Sequence, residues 1–157
     1  MTFKKLDIEP LPLVISATGK IFLTSDVALN ADLPADAEVT LEMNKTVTFG
    51  SKKFQLTIPC VDGIGSCTVK VCDVFKLWYN DILCPLIKGG GHGCSCPIKG
   101  GNFLNQRTEV KAPLSKLRNL ASAIADGDYS FRISVADPAK SKLFGCLEMQ
   151  MKIKVEK

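Results

Sequence analysis

Six of the seven cysteines fall between Cys60 and Cys96, spaced Cys-x6-Cys-x4-Cys-x11-Cys-x9-Cys-x-Cys. Pro59, Gly63, Gly65, Pro85, Gly89, Gly90, Gly91, Gly93 and Pro97 punctuate the same window as turn formers. A segment so rich in turns is not held by its own ladders, so covalent staples are the natural reading and the rest of the chain is arranged around them. Spacing alone does not choose among the pairings that six cysteines allow. It does limit them: Cys94 and Cys96 point opposite ways if extended, and so serve different partners. The competing reading is a zinc site made of Cys84, His92, Cys94 and Cys96. Structural zinc favours paired Cys-x2-4-Cys ligands, whereas this chain offers Cys-x-Cys, Cys-x4-Cys and a single histidine, so no metal is assigned. No Cys-x-x-Cys occurs, which argues against redox catalysis.

Outside the window the pattern has period two. From Glu38 to Val47, Val39, Leu41 and Met43 alternate with Thr40, Glu42 and Asn44. Phe54, Leu56 and Ile58 alternate with Lys53, Gln55 and Thr57, after a hairpin turn over 48–52. Tyr129, Phe131, Ile133 and Val135 alternate with polar residues, as do Leu147, Met149, Met151, Ile153 and Val155, with a turn over 137–140 between them. Strands are also expected over 20–26 and 103–111, with a loop over 28–36. Residues 6–16 read as one extended or edge segment, because Pro10 and Pro12 cannot donate to a ladder.

The period changes in two places. Val71, Val74, Phe75, Trp78 and Ile82 form one stripe of a short helix, with Trp78 packed on the protein or exposed as a membrane-interface anchor. Pro113 to Gly127 reads as an amphipathic helix with Leu114, Leu117, Leu120 and Ile124 on one face and Gly127 as its C-terminal cap. About eight strands with one or two short helices make a single all-β domain, an antiparallel cup or sandwich. Whether its apolar faces close into a solid core or splay around a cavity is left open by the pattern.

Twenty Lys and Arg against 16 acidic residues give a net charge of +4 without a basic stripe interleaved with aromatics, so nucleic acid is not indicated. That balance suits peripheral contact with an anionic membrane. No apolar run approaches the roughly 20 residues of a spanning helix. Residues Met1 to Lys5 lack the apolar stretch of a secretory signal, yet disulfides belong to an oxidising compartment. The expectation is a secreted or lysosomal chain whose signal has been removed. Asn44-Lys45-Thr46 is an N-glycosylation sequon.

The residues Ile58-Pro59-Cys60-Val61-Asp62-Gly63-Ile64-Gly65-Ser66-Cys67-Thr68, Val71-Cys72-Asp73-Val74, Cys84-Pro85 and Gly93-Cys94-Ser95-Cys96-Pro97-Ile98-Lys99-Gly100-Gly101 carry a resemblance. With Leu6-Asp7-Ile8-Glu9-Pro10 near the start and Leu143-Phe144-Gly145-Cys146-Leu147 near the end, they resemble the ganglioside-activator group of the ML lipid-recognition family over nearly the whole chain. The resemblance implies a β-cup that takes the tails of a glycosphingolipid or phospholipid and presents its head to a lysosomal glycosidase. It implies a cavity lined by Leu41, Met43, Phe54, Leu56, Ile58, Phe131, Ile133, Val135, Leu147, Met149 and Met151. Leu114, Leu117, Leu120, Ile124 and Trp78 become lid or membrane contacts. Carried over by position, the disulfides are Cys60–Cys67, Cys72–Cys96 and Cys84–Cys94. The family partner of Cys146 would precede Leu6, where this sequence has no cysteine. The chain is therefore expected to begin after that partner, with a free thiol or a buried apolar side chain as alternatives. The family's apolar, Trp-bearing loop before Ile-Pro-Cys is replaced by Phe49-Gly50-Ser51-Lys52-Lys53-Phe54, and the lid segment is longer and more helical, so ligand and hydrolase partner do not carry over.

An enzyme is the reading of another class. A Ser or Cys nucleophile needs a base, and His92 is the one histidine, set in a Gly-rich loop. No Gly-x-Ser-x-Gly elbow or phosphate-cradling loop occurs. The expectation is non-enzymatic and without a cofactor. A secreted carrier of another small apolar or pheromone-like ligand, with no hydrolase partner, is the alternative.

Overall fold

The period-two runs become strands that pair into two sheets. The structure, a computed structural model, describes residues 1–16, 20–61, 63–76, 80–89, 91–110, 125–139 and 141–156. In chain order its strands are β1 (Thr2–Glu9), β2 (Leu13–Ile15), β3 (Ile21–Leu29), β4 (Glu38–Phe49), β5 (Lys52–Thr57), β6 (Cys67–Lys70), β7 (Gly101–Val110), β8 (Gly127–Asp137) and β9 (Lys142–Val155). Helices α1 (Val71–Val74) and α2 (Asn80–Gly89) lie between β6 and β7. The larger sheet has the order β2-β9-β8-β4-β5, with β6 also on β4; the smaller is β1-β3-β7. All pairs are antiparallel except β2 with β9. This is the expected all-β architecture, open rather than closed into a barrel.

Register puts the apolar positions of the larger sheet on one face. Val39, Leu41, Met43 and Lys45 of β4 stand opposite Val135, Ile133, Phe131 and Tyr129 of β8. Those in turn stand opposite Gly145, Leu147, Met149 and Met151 of β9. Directly opposed residues share a face, so the polar set, including Glu42, Asn44, Ser130, Arg132, Glu148 and Gln150, forms the outer surface. The apolar face turns toward the smaller sheet. Val39 and Val135 join Leu29 and Phe103 of that sheet in one core cluster with Leu33, Ala37 and Val71. A second cluster gathers Ile15, Met43, Ile58, Ile64, Tyr129 and Ile153. Where β1 meets β9, Gly145 makes the room: a Cβ there would lie 3.0 Å from Met1 Cβ.

Several expectations are corrected. Residues 6–16 are not one segment: Pro10 and Pro12 lie where the chain leaves the smaller sheet after β1 and joins the larger one as β2. Neither needs a ladder N–H at that crossing. The helix expected over Val71–Ile82 is two helices. Val71 and Val74 are buried, Val71 in the cluster with Leu29, and α1 ends there with Phe75 as its cap. By contrast α2 docks on β7, where Asn105 Nδ2 donates to the Leu86 carbonyl at 2.9 Å. Pro85, read as a turn former, lies inside α2, held in place by that dock and by the neighbouring Cys84 crosslink. Strand β3 runs on to Leu29, and β6 carried no expectation. The 48–52 turn narrows to Gly50-Ser51, with Gly50 at φ 64°. Gly127 is not a helix cap but the first residue of β8. Leu114, Leu117, Leu120, Ile124 and Trp78 lie outside the described residues.

Candidate functional site

The cysteine window is tied by Cys60–Cys67, Cys72–Cys96 and Cys84–Cys94, with Cα separations of 5.0, 5.6 and 5.3 Å. These are the pairs the resemblance implies, and they use up the thiolates that a zinc reading would need. The tight turn between the first pair depends on Gly65 at φ 103°, where a Cβ would collide with the Pro59 carbonyl oxygen. Cys146 is a free, half-buried thiol on the outer face of β9, opposite Ser134, and Arg132 Nε donates to its Sγ at 3.4 Å. Among the described residues no set of three His, Cys, Asp or Glu side chains could hold a metal ion.

Between the two core clusters, among the described residues, the apolar face carries side chains that join neither cluster. Leu41, Ile133 and Leu147 stand side by side across β4, β8 and β9, with Met149 next along β9. In a closed sandwich the inward residues at the middle of the sheet would be the deepest. Here Leu41, Ile133, Leu147 and Met149 are only half-buried and belong to neither cluster. They form an apolar floor whose ends are closed by the clusters. Of the other expected lining residues, Met43 and Ile58 are buried at one end and Val135 at the other. Phe131 and Met151 border the first cluster.

At the same end as Met43 and Tyr129 the β4–β5 hairpin is apolar and basic at once. Phe49 is 80% exposed, Phe54 50% and Leu56 54%, beside exposed Lys52 and Lys53. The Tyr129 hydroxyl donates to the Ala125 carbonyl at 2.6 Å, and burial pushes the phenol above its ordinary range, so it stays neutral. Lys45, read from the sequence only as the middle of a sequon, is on the apolar face. The signal was the alternation itself, which runs Val39, Leu41, Met43 and Val47 through it. Asn44 is on the outer face, where its Oδ1 accepts from Thr57 Oγ1 at 2.9 Å.

His92 is used structurally. Its ring stacks on Phe103 with centroids 4.2 Å apart, and Nε2 lies 3.3 Å from the Asn102 carbonyl oxygen. A separate surface cleft of about 510 Å³ is lined by Glu38, Thr68, Val69, Lys70, Asp73 and Lys76.

The two-sheet fold and its three crosslinks go with one further observation: the ML domain signature matches residues 1–153. The chain belongs to the ML domain family. Among curated relatives, this ML domain is similar to the ganglioside GM2 activator of Macaca fascicularis, 27% identical over 154 residues, which span 96% of this chain and 75% of that protein. The ganglioside GM2 activator of Mus musculus is likewise 27% identical over 154 residues, 96% of this chain and 74% of that one. ML domains recognise lipids.

Proposed function

We propose that this ML domain is a non-enzymatic lipid carrier. It takes acyl tails onto the Leu41–Ile133–Leu147 floor and carries a glycosphingolipid or phospholipid away from a bilayer. The observation behind this is the half-buried row itself: apolar side chains at the middle of a sheet that, among the described residues, belong to neither core cluster. Each buried CH2 contributes about 0.8 kcal/mol, so a floor that covers two tails competes with a membrane. Met43, Met149 and Met151 suit a wall that repacks around tails of different length. Likeness to the ganglioside GM2 activators favours a glycosphingolipid and presentation of its sugars to a lysosomal glycosidase. The three disulfides favour a secreted or lysosomal location.

Membrane contact is assigned to the β4–β5 hairpin, where Phe49 would insert and Lys52 and Lys53 would meet anionic headgroups. An N-glycan on Asn44 would stand on the outer face, clear of the floor. The amide oxygen is held by Thr57, which orients the side chain and leaves Nδ2, the atom that bears the sugar, outside that bond.

Native mass spectrometry before and after incubation with mixed phospholipid and glycosphingolipid vesicles tests the carrier reading. Stoichiometric lipid adducts are expected. A chain that emerges bare from every vesicle composition would be a solid core and not a carrier.

A further inference from the structure

One side chain breaks the apolar face. Lys45 stands opposite Tyr129 on β8 and Leu56 on β5, and so points to the same side as Met43 and Met151. Its ammonium lies 5.7 Å from the centroid of the Tyr129 ring, and the residue is half-buried. Across from it β8 begins with Gly127, where a Cβ would come within 2.8 Å of Lys45 Cε and 3.5 Å of Nζ. The glycine leaves the slot that the lysine fills. Among the described residues no carboxylate lies within 4.0 Å of Lys45. The nearby acids are committed elsewhere: Asp128 to Lys152 at 4.0 Å, and Asp126 Oδ1 to the Val155 N–H at 2.7 Å.

A half-buried lysine that shares its face with Met43, Leu56 and Tyr129 and has no carboxylate partner among the described residues leaves its ammonium free to take an anion. We infer that Lys45 reads the anionic headgroup (phosphate, sulfate or carboxylate) of a lipid whose tails lie on the Leu41–Ile133–Leu147 floor. This rests on the carrier reading above and adds the charge of the cargo to it. Lys45 is four residues along β4 from Leu41, about 13 Å at strand rise, a span one amphipathic molecule bridges.

The test loads the full chain from detergent with phosphatidylcholine and phosphatidylglycerol of identical acyl chains, and counts bound lipid by native mass spectrometry. Preference for the anionic lipid should be about fivefold, the usual worth of one near-surface cation. Lys45→Met should bring the ratio to parity with total loading kept, and Lys45→Arg should restore it. Lys154→Gln removes one exposed charge from β9 and should leave the ratio alone. Glycerol phosphate in excess, a headgroup without tails, should not displace the lipid. If it does, the site is one for free anions and the headgroup assignment falls. Equal loading of both lipids by the unaltered chain, or an unchanged ratio in Lys45→Met, overturns the role of Lys45 and leaves the carrier reading standing. Failure to load either lipid overturns the carrier reading, and the headgroup assignment with it.

Discussion

Asp32 and Asn105 hold loops and helix in place by different means, and each has a measurable consequence. Asp32 accepts the Gly100 N–H at 2.8 Å and Lys99 Nζ at 3.3 Å, joining the loop after β3 to the segment before β7. The Gly100 bond first, and the Lys99 bond after it, hold the carboxyl below its ordinary range. Its contribution is therefore fully present above the unfolded carboxylate value, about 3.9, and is lost as pH falls through the lower folded value. In Asp32→Asn the melting temperature should fall less between about pH 5 and pH 3 than in the parent chain, and an identical acid slope in both would refute the clamp. Asn105 is 2% exposed, donates to the Leu86 carbonyl and to Ser25 Oγ, and accepts from Thr108 Oγ1. Asn105→Leu takes the partner from buried Ser25 and from the half-buried Leu86 carbonyl and Thr108 hydroxyl, and urea unfolding should show a loss of about 2 kcal/mol. At this scale the sequence was least legible. Alternation alone placed Lys45 inward, but a lysine in a strand is ordinarily solvated, and only Tyr129 and Gly127, remote in sequence, make its position meaningful.

Among the elements, β4, β5, β8 and β9 were legible because each is long enough to repeat and carries polar residues on its outer face. The three-residue β2 and four-residue β6 are too short for a period to show. The stripe from Val71 to Ile82 satisfied helical spacing, yet its halves pack on different partners, which spacing cannot reveal. Nor could the alternation say whether the apolar faces touch, since a floor and a core use the same residues. The crosslinks among these elements differ in expected worth. Cys72–Cys96 closes a separation of 24 residues and Cys60–Cys67 one of 7. On the chain-entropy account they contribute about 3 and about 2 kcal/mol. Paired Cys→Ala variants should rank in that order by denaturant midpoint, and the reverse order would mean that local turn packing outweighs loop closure.

As a whole molecule the protein has a hairpin end and a disulfide end. Phe49→Ser at the hairpin should weaken binding to anionic vesicles about fivefold in flotation assays, with salt weakening what remains. Binding unaffected by either change would move membrane contact to another surface. At the opposite end, Cys72–Cys96 joins the chain leaving β6 of the larger sheet to the chain entering β7 of the smaller one, beside the cluster of Leu29 and Val135. The chain itself also crosses from the smaller sheet to the larger one at Pro10 and Pro12, between β1 and β2. The two plates are therefore riveted at more than one place, and the rivet that a reductant can cut is only one of them.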